Sequence, residues 1–169
     1  TQYAEDDMVP YICPQNEIVD TINRRKMERF TNRIVFTPRE CLNVSVSEHT
    51  LELAVGMRVM TTRNELQFKN GDIGTITRIT ESTVYVQMDE TGEEVAVHRV
   101  KYEEELGEIS YRCYNQFPLY LAYAMTAEKS QGATFREINI IPGFFAPGQL
   151  YVALSRCESV AGIHITSRF

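Results

Sequence analysis

Thr126, Lys129 and Ser130, followed by Gln131-Gly132, place two hydroxyls, an ammonium and an amide directly after the apolar run Leu119-Tyr120-Leu121-Ala122-Tyr123-Ala124-Met125. A run of that kind reads as a buried strand of a parallel sheet covered on both faces. Thr126 is a good N-cap, so the spacing predicts a helix that begins there and carries Glu128, Lys129 and Ser130 in its first turn. The positive end of a helix dipole disfavours Lys129 at that position unless an anion is close. First-turn amides, the two hydroxyls and the lysine could together hold a phosphate, of a nucleotide or of a nucleic-acid backbone. A solvated helix start is the alternative reading of the same residues.

A second group follows at Gly148-Gln149-Leu150-Tyr151-Val152-Ala153-Leu154-Ser155-Arg156. After Phe144-Phe145, the segment Ala146-Pro147-Gly148 is expected to open a helix, with Pro147 near its first position. Leu150, Tyr151 and Leu154 share one face, predicted to lie on the sheet, which leaves Gln149 and Arg156 on other sides. Arg156 near the helix end has two readings. It either complements the dipole or a carboxylate, or offers a planar, permanently charged group to phosphate oxygens.

The elements that must position these residues fall into three blocks. In the first, up to about residue 55, Val9 to Cys13 reads as a short strand and a helix capped near Asn16 turns Ile18, Val19, Ile22 and Phe30 inward. Arg24, Arg25, Lys26 and Arg29 cluster on that helix, as a solvated face or a strand contact. The second block, 56–115, alternates short strands with glycine turns. Asn70-Gly71 signals a hairpin, Gly74 sits in a tightly curved strand, and Val84, Val86 and Met88 alternate before the Asp89-Glu90-Thr91-Gly92 turn. A small β-barrel follows. Val84 to Glu90 has the look of a magnesium-binding strand, yet its period-2 alternation favours a hairpin corner, and no Gly-Lys dipeptide occurs in the chain to make a P-loop. The third block, 116–169, returns to buried strands at Leu119–Met125, Ile138–Ile141 and Ile163–Ile165 with the two motif helices between them. Strand and helix in alternation predict a parallel α/β sheet whose functional loops leave the carboxyl ends of the strands.

The 169 residues, 43% hydrophobic, can bury the core of one domain, or of one domain with an insert. No apolar run is long enough to cross a membrane, no segment has signal-peptide character, and the start at Thr1 reads as an excised piece. Cys13, Cys41, Cys113 and Cys157 are scattered and form no ligand cluster with His49, His98 and His164. Reduced thiols in a cytoplasmic or nuclear protein without structural metal are expected. The net charge of -6 argues against a dedicated basic nucleic-acid clamp but leaves local contact open.

Tyr123 to Phe135 and Gly148 to Arg156 together resemble two ordered motifs of the second RecA-like domain in superfamily 1 helicases, particularly the RecD-like and PIF-type members with a UvrD-like C-terminal domain. Pro14-Gln15-Asn16 and Ile22-Asn23 are similar to the opening of that domain. Gly56-Met57-Arg58-Val59-Met60 and Asn70-Gly71-Asp72-Ile73-Gly74-Thr75 resemble the SH3-like insert called 2B. The resemblance implies a RecA-like α/β domain over 1–55 and 116–169 with an SH3-like barrel over 56–115, as the C-terminal motor half of an ATP-dependent DNA helicase moving 5′ to 3′ on single-stranded DNA. It implies Arg156 as the catalytic finger and ATP sensor, and Gln131-Gly132 as the link from nucleotide state to movement. Thr126, Lys129 and Ser130 would touch the strand, and Arg58, Arg63, Lys69 and Arg78 of the insert would flank it. ATP and Mg2+ would be held mainly by an N-terminal RecA-like partner domain with the P-loop. Glu128 stands where the family usually has His, which replaces a donor with an anion. A non-catalytic single-strand-binding module, or a protein-interaction module derived from a helicase, is the alternative.

Overall fold

The computed structural model describes residues 7–108, 110–143, 145 and 147–167. The expectations for Phe144 and Ala146, and the chain ends at 1–6 and 168–169, lie outside the described residues. Strand β1 (Tyr11–Cys13) runs into helix α1 (Asn16–Met27), whose N-cap is Gln15, one residue before the expected Asn16, with no side-chain cap bond. Val19 and Ile22 are the buried residues of α1, and Ile18 packs beside them. Arg29, expected on α1, lies just past its end, and the basic run is partly spent on one carboxylate. Lys26 Nζ lies 2.8 Å and Arg29 2.7 Å from Asp7.

The chain then forms three short strands, β2 (Ile34–Phe36), β3 (Arg39–Leu42) and β4 (Leu51–Leu53), of which β2 and β4 pair antiparallel. Next come β5 (Arg58–Thr61), β6 (Ile73–Ile79), β7 (Thr83–Met88) and β8 (Glu94–His98), each antiparallel to the last. The Met88 amide bonds to the Glu93 carbonyl and the Gly92 amide to the Met88 carbonyl, so Asp89 sits at a hairpin corner. A long hairpin of β9 (Val100–Leu106) and β10 (Ser110–Gln116), with β3 on its edge, makes a separate three-stranded sheet.

The apolar run that follows is two strands. β11 (Leu119–Leu121) pairs antiparallel with β5 and completes a five-stranded sheet, whereas β12 (Ala124–Thr126) pairs parallel with β1. This corrects the single strand expected over Leu119–Met125. The bend between them is held from both sides: Ala122 donates its amide to the Arg58 carbonyl at 2.9 Å, and the Tyr123 carbonyl accepts from the Tyr11 amide at 2.9 Å. The Tyr123 hydroxyl, buried, accepts from the Arg58 amide at 3.1 Å. A continuous apolar sequence serves both sheets because both interiors are apolar.

Strands β13 (Ile138–Ile140) and β14 (Ile163–Ile165), with helix α2 (Gln149–Ser155) between them, complete an all-parallel sheet of order β12-β1-β13-β14. Alternation along its strands fills two cores. Tyr11, Cys13, Ala124 and Ile141 pack with α1, while Ile12, Met125, Ile138 and Ile140 pack with Ala153 of α2. The five-stranded sheet has its own core of Val59, Ile76, Val84, Val86 and Val97, joined by Phe117 and Leu119. RecA-like α/β architecture is thus present, with an antiparallel sheet set into it.

Gly74 separates β6 from β7 by less than any side chain allows. A Cβ there would collide with the Gln87 carbonyl oxygen and lie 2.6 Å from Val86 Cγ1. Gly92 has φ +72 with open space around it. Urea unfolding should therefore show Gly74→Ala losing about 3 kcal/mol, from overpacking and backbone shift, and Gly92→Ala only about 1 kcal/mol, from the left-handed backbone. Equal losses would contradict this account.

Candidate nucleotide and strand sites

The carboxyl ends of β1 and β12 open into a groove of about 1020 Å³, the position that an open parallel sheet reserves for ligands. Thr126, Glu128, Lys129 and Gln131 line one side, Gln15 and Asn16 another. Thr62, Asn70 and Tyr120 reach it from the five-stranded sheet, and Phe145 and Gln149 from the start of α2. The edge strand β12 is held in place by Asn23 of α1. Its side chain accepts from the Ala124 amide at 3.1 Å and donates to the Ala124 carbonyl at 3.4 Å, as a neighbouring strand would.

No helix forms after Thr126. The segment is a series of turns, in which the Ser130 amide bonds to the Thr126 carbonyl at 3.1 Å and the Gln131 amide to the Glu128 carbonyl at 3.2 Å, ended by Gly132 at φ +90. Thr126 still acts as a cap, its hydroxyl accepting from the Lys129 amide at 3.3 Å. Ser130 is fully buried and donates its hydroxyl to the Ala127 carbonyl at 2.6 Å. It shapes the turn and does not face the groove, which corrects the expected strand contact. Lys129 is exposed, with Nζ 4.5 Å from the centre of the Tyr120 ring.

Gly132 marks where the two sheets meet. A Cβ on Gly71, in the Asn70-Gly71 turn, would sit 2.8 Å from the Gly132 carbonyl oxygen, so this turn of the insert rests directly on the backbone of the motif. Only glycine at φ +94 allows that approach.

Arg156 stands at the other end of α2, about 10 Å along the axis from Gln149 at 1.5 Å per residue. Helix α2 starts after Gly148, its cap at φ +82. The face that docks is Val152 and Ala153, whereas Leu150, Tyr151 and Leu154 are 46%, 77% and 38% exposed. This overturns the expected burial of those three residues: small Ala153 permits close packing on the sheet, and the large apolar side chains point away. The Arg156 guanidinium donates from Nε to the Val152 carbonyl and from a terminal nitrogen to the Ser155 hydroxyl, each at 3.3 Å. Among the described residues no carboxylate forms an ion pair with it. Its backbone carbonyl accepts from the Phe135 amide at 2.7 Å, and the Glu158 amide donates to the Phe135 carbonyl at 2.8 Å. The two motifs are therefore joined through Phe135.

The cations of the insert are mostly committed. Arg58 is buried, donating from both terminal nitrogens to the Asp89 carboxylate and from one to Thr75 at 3.0 Å. That corrects its expected place on a strand path and gives Asp89 its role at the hairpin corner. Arg63 donates to the Lys101 carbonyl, and Arg78 lies over Tyr85 and pairs with Glu94. Lys69 is exposed beside groove-lining Asn70. Tyr120, Thr62 and Asn70 escaped the sequence reading, because Tyr120 sits inside an apolar run and the other two lie far away in sequence.

Two outcomes follow from these environments. Arg58 is buried while Asp89 stays partly open to solvent, so Arg58→Ala removes the packed stem and its bonds to Asp89 and Thr75 without burying a lone charge, and should lower the unfolding free energy by about 2 kcal/mol in urea titration. Burial pushes the Cys13 thiol up to about 12, which leaves roughly one part in ten thousand as thiolate at pH 8. Ellman's reagent should modify exposed Cys41 and leave Cys13 untouched until the protein unfolds; rapid modification of Cys13 in the folded state would contradict its burial.

No family model matches the sequence. It is 40% identical over 120 residues to the ATP-dependent DNA helicase Pif1 of Bdellovibrio bacteriovorus, covering 68% of this chain and 27% of that protein. The fold superposes on Bacteroides Pif1 bound to single-stranded DNA with TM-score 0.74 and 30% identity, over 100% of this chain and 42% of that one. It superposes on Bacteroides Pif1 in complex with ADP-AlF4 with TM-score 0.74 and 31% identity, over 98% and 42%. The chain thus spans less than half the length of the relatives it matches. Two ordered motifs, the RecA-like parallel sheet and these likenesses converge on one assignment: the chain belongs to the Pif1-type family of superfamily 1B helicases.

Proposed function

We propose that this chain is the C-terminal motor half of an ATP-dependent DNA helicase, translocating 5′ to 3′ on single-stranded DNA. Residues 1–55 and 116–169 form its second RecA-like domain and 56–115 its SH3-like insert, to which β11 contributes an edge strand. The observation that carries this reading is the Arg156 guanidinium, held at the end of α2 with no described carboxylate to neutralise it. A permanently charged, planar group kept free of anions suits the charge on a transferring phosphoryl group. ATP, when bound, supplies the free energy of phosphoryl transfer to water. Its P-loop and magnesium ligands would come from an N-terminal RecA-like partner domain, since no Gly-Lys dipeptide occurs here. The exposed Leu150, Tyr151 and Leu154 beside Arg156 are suited to packing against that domain.

Within this chain, Thr126, Lys129 and Gln131 would hold the strand in the groove while Arg156 reads the γ-phosphate. The Phe135 bonds carry displacement at one to the other, with Gln131-Gly132 between them. Opening and closing of the two RecA-like domains would then step the strand. The relatives are named as ATP-dependent DNA helicases, and two of the solved neighbours hold single-stranded DNA. In the longer protein that carries the P-loop domain, Arg156→Ala should lower DNA-stimulated ATP turnover by about a thousandfold with nucleotide binding retained. Unchanged turnover would refute the role of Arg156. This chain by itself should show no turnover, and hydrolysis that persists through purification to homogeneity would refute the need for a partner domain.

A further inference from the structure

The groove has the wrong charge for a site that grips nucleic acid by its phosphates. Lys129 is the one cation among its described lining residues, against the carboxylates of Glu17 and Glu128, whereas sequence-independent affinity ordinarily comes from several Lys and Arg side chains. What the groove offers in place of charge is amides and an open ring. Tyr120 lies on β11, the edge strand of the five-stranded sheet, paired with Met60. Leu119 and Leu121 on either side of it pack into the core of that sheet. Alternation along the strand therefore turns Tyr120 to the opposite face, into the groove, where the residue is 40% exposed. A large aromatic side chain held half open by its backbone register, with an ammonium 4.5 Å from its centre, is equipped for a ligand that has both a flat π-face and a negative charge.

We propose that Tyr120 is the stacking platform for one base of single-stranded DNA in this groove, and that Lys129 takes the phosphate of the same nucleotide. The inference rests on reading the groove as a strand path. An exposed ammonium–ring contact is weaker than a base–ring stack. The base displaces the ammonium from the ring, and the ammonium turns to the phosphate. Gln15, Asn16, Asn70 and Gln131 line the same groove and offer it uncharged donors and acceptors. A strand held this way depends on its bases and only slightly on salt, because a single cation releases few counterions.

Fluorescence anisotropy of this chain with a labelled oligothymidylate, and with the same backbone made abasic throughout, tests the assignment. The wild-type protein should prefer the base-bearing strand by about tenfold, the scale of one base–aromatic stack. Tyr120→Ala should lose that preference and Tyr120→Phe keep it, with folding checked by circular dichroism. The dependence of log affinity on log salt should have a slope of about -0.7, one phosphate contact on a single strand, and Lys129→Ala should bring it near zero. Binding that ignores Tyr120→Ala, or that treats the two strands alike, would overturn the stacking role alone. Absence of binding to either strand would overturn the strand path itself.

Discussion

Two backbone hydrogen bonds through Phe135, to the Arg156 carbonyl and from the Glu158 amide, are the constraint on which the rest of the site depends. They form an isolated bridge beyond the parallel sheet, and they fix the distance between a loop that ends at the groove and a helix that ends in an arginine. Backbone bonds at 2.7 and 2.8 Å, with Phe135 itself buried in the core shared by β13 and α2, leave little room for one motif to move alone. The bridge ties the backbone three residues after Gly132 directly to that of Arg156.

The antiparallel insert belongs to the same mechanical unit. Met60 and Ile73 of its sheet pack in the core of the parallel sheet, the Asn70-Gly71 turn rests on Gly132, and the bend at Ala122-Tyr123 hands one strand from each sheet to the next. Apolar burial makes these contacts stable, and glycine makes the closest of them possible. The groove is walled by both sheets because the chain crosses between them beside it.

Much of this was legible in the sequence. The apolar runs and turn glycines marked the strands, and the alternation of strand and helix placed Thr126 to Gln131 at the carboxyl end of a strand of a parallel sheet. Hydrophobic periodicity could not see that Leu119–Leu121 and Ala124–Thr126 serve different sheets, since both segments are apolar and nothing polar marks the bend. It also assigned the wrong face of α2. The largest side chains, Leu150, Tyr151 and Leu154, set the apparent periodicity, whereas close packing selected Ala153. Thr126 read as a helix cap because it does cap the turn, but Gly132 ends the segment before regular helix forms. The commitment of Arg58 to Asp89 and the stack of His49 on Tyr114 and Tyr114 on Tyr102 join residues far apart in sequence, and no local pattern encodes them.

Coupling between the groove and Arg156 is the central claim, and it is measured most directly as the affinity of the longer, P-loop-bearing protein for single-stranded DNA with and without a bound ATP transition-state analogue. Two sites joined through Phe135 should differ in strand affinity by on the order of tenfold between the two nucleotide states, with the difference lost in Arg156→Ala. Equal affinity in both states, with the analogue demonstrably bound, would contradict the account.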